Sequence, residues 1–264
     1  MNIFKACIAF LNFCKFADIQ PRIKEAVLKY EQHFNLTLKH GPYGTMGQIF
    51  FRDDNPNIVV KFTKDQAEAK NMAFFHHLQK GDIKFPANME YKHLKRKKIK
   101  IADIVRSGIV TIENVFGIRT ATGPVYVIEQ EKGQDVPLQL ANKLMFYIGQ
   151  NIARQTKEVF TVIQEDLADK DTIKELSEVL AEALIESGQI TIEQKGEVNV
   201  GDLGTLLRVI REKVDSSFKD FRPSNMLVVK DSAGTYRVKL TDIGYGSGPD
   251  FMEELQHKPI PFLF

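Results

Sequence analysis

The sequence predicts an α+β fold with two unlike parts, and three observations carry that expectation. Between residues 41 and 131, short β-branched runs alternate with glycine and Asn-Pro turns around one internal helix. From about 136 to 214, apolar residues recur at helical spacing instead. A hairpin pattern then follows, Met226–Val229 and Tyr236–Leu240, joined by Lys-Asp-Ser-Ala-Gly-Thr.

The elements are expected in this order. Residues 1–38 read as helical with a break at Gln20-Pro21, and Ile23, Ala26, Val27, Tyr30 and Phe34 form an apolar stripe. Gly41-Pro42-Tyr43-Gly44-Thr45-Met46-Gly47 reads as a glycine-dense turn, and strands are expected over Gln48–Phe51 and Ile58–Phe62. Asp65–Lys80 reads as a helix with Thr63 as N-cap and Gly81 as its stop. Ile109–Val115 and Pro124–Gln130 read as strands separated by a glycine-containing turn. Further helices are expected over Asp166–Ser187 and Gly201–Val214.

Composition excludes several classes. Apolar residues make up 43% and charged residues 27%, which places the chain among globular proteins. Its 264 residues suit one large domain or two small lobes sharing a cleft. A net charge of +2 supplies no long-range field toward nucleic acid or a membrane. The apolar run Ala6–Cys14, bracketed by Lys5 and Lys15, falls well short of the about 20 residues a membrane span needs. It reads as an amphipathic helix packed on the first half. Cys7 and Cys14 on one helix would lie about 10 Å apart, too far to bridge, and read as buried apolar residues in a reducing compartment. The basic run Lys92–Lys98 reads as a solvated loop face, and His76 and His77 as structural or exposed.

Four short segments carry chemistry. Gly44, Thr45 and Gly47 sit in a turn between strands, where missing Cβ atoms let backbone N–H groups approach phosphate oxygens. Lys61 ends an apolar strand and can hold phosphates as a point charge, with Glu68 seven residues on to fix its ammonium. Asp220-Phe221-Arg222-Pro223-Ser224-Asn225 offers a carboxylate for a hydroxyl nucleophile, a cation for phosphate charge and an amide oxygen for a metal. Asp242-Ile243-Gly244 places a carboxylate at a strand end, a position suited to Mg²⁺. Each segment alone is an ordinary turn or strand end; their order in one chain is the signal.

In that order the chain resembles the protein-kinase-like superfamily across roughly residues 41–246. Phe218-Lys219-Asp220-Phe221-Arg222-Pro223-Ser224-Asn225 is similar to the catalytic loop H-R-D-L-K-P-x-N, Asp242-Ile243-Gly244 to D-F-G, and Val59-Val60-Lys61 to the V-A-I-K strand. The resemblance implies a bilobal kinase-like fold. It would have an N-terminal helical extension (1–40), a strand-rich N-lobe with one internal helix (41–131) and a mainly helical, truncated C-lobe (132–264) carrying a helical insert at about 136–200. It implies ATP and Mg²⁺ as ligands. Asp220 would be the catalytic base, Arg222 would stand where the phosphate-facing lysine stands, and Lys61 would pair the α/β-phosphates and Glu68. Asn225 and Asp242 would hold Mg²⁺, Gly44, Thr45 and Gly47 would cover the phosphates, Ile128 would be gatekeeper, and backbone groups of Glu129 and Glu131 would meet the adenine edge.

Departures from the pattern are specific. Pro42 stands where the first glycine of G-x-G-x-x-G is expected, Phe218 replaces the loop histidine, Lys219 replaces its arginine, and no A-P-E segment follows. In this stripped form the chain is similar to small bacteriophage and bacterial kinases. That likeness implies a cytoplasmic setting (the host cytoplasm if phage-encoded) and a protein substrate, with no membrane or specific nucleic-acid partner. Three activities fit the pattern: a Ser/Thr protein kinase, which Arg222-Pro223 favours; a small-molecule kinase; and a nucleotide-binding pseudokinase acting as an interaction protein.

Overall fold

The computed structural model describes residues 19–43, 47–82, 101–152, 165–213, 221–243 and 259–263. The helix expected before Ala17, the turn residues Gly44 and Thr45, the basic run 92–98, Phe218 to Asp220 and Gly244 lie outside the described residues. The fold is α+β. A five-stranded antiparallel sheet contains β1 (Leu38–Tyr43), β2 (Gly47–Arg52), β3 (Ile58–Thr63), β4 (Ile112–Thr120) and β5 (Gly123–Glu131), in the spatial order β1-β2-β3-β5-β4. A smaller sheet pairs β6 (Gln134–Asp135), β7 (Met226–Lys230) and β8 (Tyr236–Leu240) in that order. The helices are α1 (Pro21–Phe34), α2 (Gln66–Lys80), α3 (Ile101–Gly108), α4 (Leu138–Ile152), α5 (Lys170–Glu186) and α6 (Leu203–Lys213). Among the described residues, no helix is long and apolar enough to cross a membrane.

Strand alternation divides the large sheet into two faces. Phe50, Val60, Phe62, Phe116, Ile118, Val125 and Val127 share the outer face and pack with Ile23, Ala26, Val27 and Tyr30 of α1. An isolated 14-residue helix is marginal in water, so this packing holds α1 in place. Each fully buried large side chain, Val27 for one, contributes roughly 1.5–3 kcal/mol. On the inner face, Val115 and Ile128 join Met72 and Phe75 of α2 in a second, larger core, which continues through α3, α5, α6 and the β7–β8 hairpin.

Several contacts tie the two halves of the chain together. Gly133 carries the chain from β5 to β6 so close to β7 that a Cβ there would come within 2.6 Å of Leu227 Cβ. Val110 N–H donates to Leu240 O at 3.0 Å. Residues 259–263 return from the second half to the edge of β4.

The structure departs from the expected elements at four places. The first half holds two internal helices, because Ile101, Ile104 and Val105 recur at i, i+3 and i+4 and build α3. Gly41 and Pro42 belong to strand β1, not to a turn. Proline is tolerated there because β1 is an edge strand, and a Cβ on Gly41 would come within 2.9 Å of Ile49 O. β4 runs on through Gly117 to Thr120, and the turn follows it. Asp65, not Thr63, caps α2: its carboxylate accepts from Ala67 N–H and Glu68 N–H at 2.8 and 3.2 Å, while Gly81 ends the helix at φ +81°.

Candidate active site

Lys61 lies in the middle of β3, directly opposite Ile49 on β2 and Ile128 on β5. Its side chain therefore leaves the inner face, beneath the hairpin that Gly47 begins. A Cβ on Gly47 would come within 2.7 Å of Phe62 O and 3.3 Å of Lys61 Cε, so glycine leaves room for the lysine stem. The first turn of α2 presents Glu68 to the same space because Asp65 fixes where the helix starts.

Lys61 Nζ contacts Glu68 Oε1 and lies 2.9 Å from Asp242 Oδ2. Sequence places Asp242 far from both, and the β7–β8 hairpin brings it there. Met226 pairs with Leu240, and Thr241 N–H donates to Asn225 O at 3.0 Å just beyond. That register sets Asn225 across from Thr241, next to Asp242. The turn Pro223–Asn225 closes with Asn225 N–H donating to Arg222 O at 2.9 Å. Asn225 is buried and Arg222 is exposed.

The electrostatics follow from burial. Desolvation alone would lower the Lys61 pKa, but the charges of Glu68 and Asp242 outweigh it and raise it. Desolvation raises the Glu68 carboxyl to about 6; Lys61 opposes the shift and the Asp242 charge adds to it. One ammonium thus serves two carboxylates, leaving the group with excess negative charge.

Two further side chains, not singled out by the sequence, hold the Asp242 segment. Asn71, one turn after Glu68 on α2, donates to Ile243 O at 2.9 Å. Gln130 donates to Thr241 Oγ1 at 2.5 Å. The sequence signal was available only in part: Asn71 shares a helix face with Glu68 at i+3, and Gln130 shares a strand face with Ile128 at i+2.

The adenine-side residues are placed differently from one another. Ile128 is fully buried in the larger core opposite Lys61. Glu129 turns to the outer face, where Tyr30 Oη donates to its carboxylate together with Arg52 at 3.3 Å and Asn114 at 2.6 Å. Its backbone sits inside the ladder between β3 and β4. Glu131 N–H donates to Thr111 O at 2.8 Å, and its carboxylate holds Lys239 Nζ at 2.6 Å. β3 pairs with β5 through Glu131 and β4 through Gln130, and Lys132 N–H still donates to Asn57 O at 2.8 Å. His76 and His77 are tied to Ile112 O and Asp82, which makes both structural.

Among the described residues no cluster of three or more His, Cys, Asp or Glu side chains forms a metal site. No protein-family model matches the chain, and no curated protein matches it.

Proposed function

We propose that the chain is an ATP- and Mg²⁺-dependent phosphotransferase with a bilobal, protein-kinase-like architecture, and that it acts on Ser/Thr hydroxyls of protein substrates. One observation carries this reading: Lys61 of β3, Glu68 of the following helix and Asp242 after the β7–β8 hairpin meet in a single ion cluster, with Asn225 set across the hairpin. The strand order β1-β2-β3-β5-β4, with α2 between β3 and β4, supports the architecture.

The roles follow from the chemistry of each group. Lys61, fixed by Glu68, binds phosphate oxygens as a point charge. The Asp242 carboxylate and Asn225 amide are hard oxygen donors, the type that Mg²⁺ takes, and the excess negative charge around Lys61 fits a further cation. Mg²⁺ bound there supplies charge neutralisation to the phosphates. Asp220, five residues before Asn225, accepts the proton of the attacking hydroxyl. Arg222 is exposed beside that loop and stabilises charge on the transferring group. Gln130 and Ile128 close the inner end of the base position on β5, and Asn71 and Gln130 keep Asp242 in register.

The test is phosphate transfer from γ-labelled ATP with Mg²⁺ to proteins of a cell lysate, comparing wild type with Asp220→Ala. Labelling by wild type alone is expected; equal labelling by both chains overturns the reading.

A further inference from the structure

The return of residues 259–263 to β4 has no part in the ion cluster. β4 is the outer strand of the large sheet, so one side of it has no neighbour within that sheet. Such an edge offers N–H and C=O groups to any extended chain. At Gly117 that offer is taken up. Gly117 N–H donates to Pro261 O at 2.7 Å, and Leu263 N–H donates to Gly117 O at 3.0 Å, forming a parallel bridge centred on Phe262.

Side chains around the bridge form a shaped seat. The Phe262 ring lies flat against Gly117, where a Cβ would come within 2.5 Å of it. Glycine within a strand commonly marks such a close approach. The Arg119 guanidinium stands 5.3 Å from the ring centroid and the Tyr126 ring 6.2 Å away. These contacts favour an aromatic side chain by dispersion, ring–ring and cation–π attraction. Ile260 anchors the segment in the larger core. Yet Phe262 and Leu263 remain 39% and 37% exposed, so the seat is shallow. Covalent attachment presents such a ligand to its seat at an effective concentration on the order of millimolar.

We propose that the β4 edge at Gly117 is a recognition groove for an extended Pro-aromatic-aliphatic peptide, and that Pro261-Phe262-Leu263 of this chain is its resident ligand in cis. Two backbone hydrogen bonds to Gly117 fix the register, and the aromatic residue beneath Arg119 gives specificity. Removing the resident segment opens the groove to the same sequence supplied in trans.

The experiment uses a fluorescent peptide spanning Lys258 to Leu263 and follows anisotropy against the chain lacking residues 258–264. Saturable binding is expected, at least tenfold tighter than to the full chain, whose groove is filled. Gly117→Val in the shortened chain and Phe262→Ala in the peptide are each expected to weaken binding at least tenfold. Circular dichroism establishes that each chain is folded. If the shortened chain does not fold, the full chain carrying Phe262→Ala replaces it, with the same expected gain over wild type. Equal binding to open and filled chains, or no binding to a folded open chain, overturns the proposal.

Discussion

Glu129 on β5 and Glu68 on α2 are both buried carboxylates, on opposite faces of the large sheet, and their surroundings differ in one respect. Glu129 is saturated: Tyr30 and Arg52 share one oxygen and Asn114 takes the other, while Arg52 is also held by exposed Asp54 at 2.7 Å. Donors from α1, β2 and β4 thereby converge on β5, and the result is a structural joint. On the inner face, Glu68 must share Lys61 with Asp242, which remains partly open to solvent. The saturated centre fastens the helix to the sheet. The one with surplus negative charge is the centre at which we propose that a cation and phosphate bind.

This contrast can be broken by swapping which centre is damaged. Lys61→Met is expected to have the largest effect on function, lowering turnover roughly 10²- to 10³-fold, as removal of a well-placed charge donor does. It should also remove ATP-induced stabilisation, which for wild type at 100 times Kd is about 2.7 kcal/mol. Glu129→Ala is expected to act on the fold instead. Leaving Tyr30 and Arg52 without their acceptor should cost roughly 2–4 kcal/mol in urea denaturation, with the ATP-dependent increment retained. If Glu129→Ala removed the increment while Lys61→Met kept it, the two roles would be reversed.

Acid sharpens the same comparison. Burial holds the Glu68 carboxyl at about 6, above its ordinary 4.5. Above that pH it is ionised and grips Lys61; below it, a proton neutralises the partner that positions the ammonium. ATP affinity measured by calorimetry should therefore fall as pH drops through about 6 in wild type, and this step should be missing in Glu68→Gln. Stability runs the other way. A raised folded pKa gives a contribution present in full below pH 4.5 and lost as pH rises through about 6, so wild type should lose ground to Glu68→Gln across that window.

The smallest effect concerns the residues that hold the Asp242 segment. Asn71→Ala removes one hydrogen bond to Ile243 O and should cost about 1 kcal/mol of stability. Because Asp242 then sits less firmly, the Mg²⁺ concentration for half-maximal turnover should rise several-fold, while the KM for ATP at saturating Mg²⁺ stays near wild type.

Legibility in the sequence followed the local pattern. Asn225 and Asp242 could be read because each borders a short, strongly β-forming segment, and the hairpin between them is a near-range event. Lys61 and Glu68 could be read because an apolar strand and a capped helix start fix their positions. Backbone groups of Glu129 were expected at an adenine edge through the family resemblance, which says nothing of where its side chain points. The side chain is set by long-range pairing: β3 and β4 both run along β5 past Glu129, and alternation turns its carboxylate outward. Gly117 looked like a turn glycine because nothing nearby in sequence announces that Phe262 will lie on it. Asn71 and Gln130 were missed for the same reason, since their partners are 172 and 111 residues away.

Calorimetric titration of ATP with and without Mg²⁺, into wild type and Asp242→Asn, tests the assignment of the inner centre most directly. Mg²⁺ should tighten ATP binding at least tenfold in wild type and leave it nearly unchanged in Asp242→Asn. The same Mg²⁺ dependence in both chains, or no ATP binding by wild type, would contradict it.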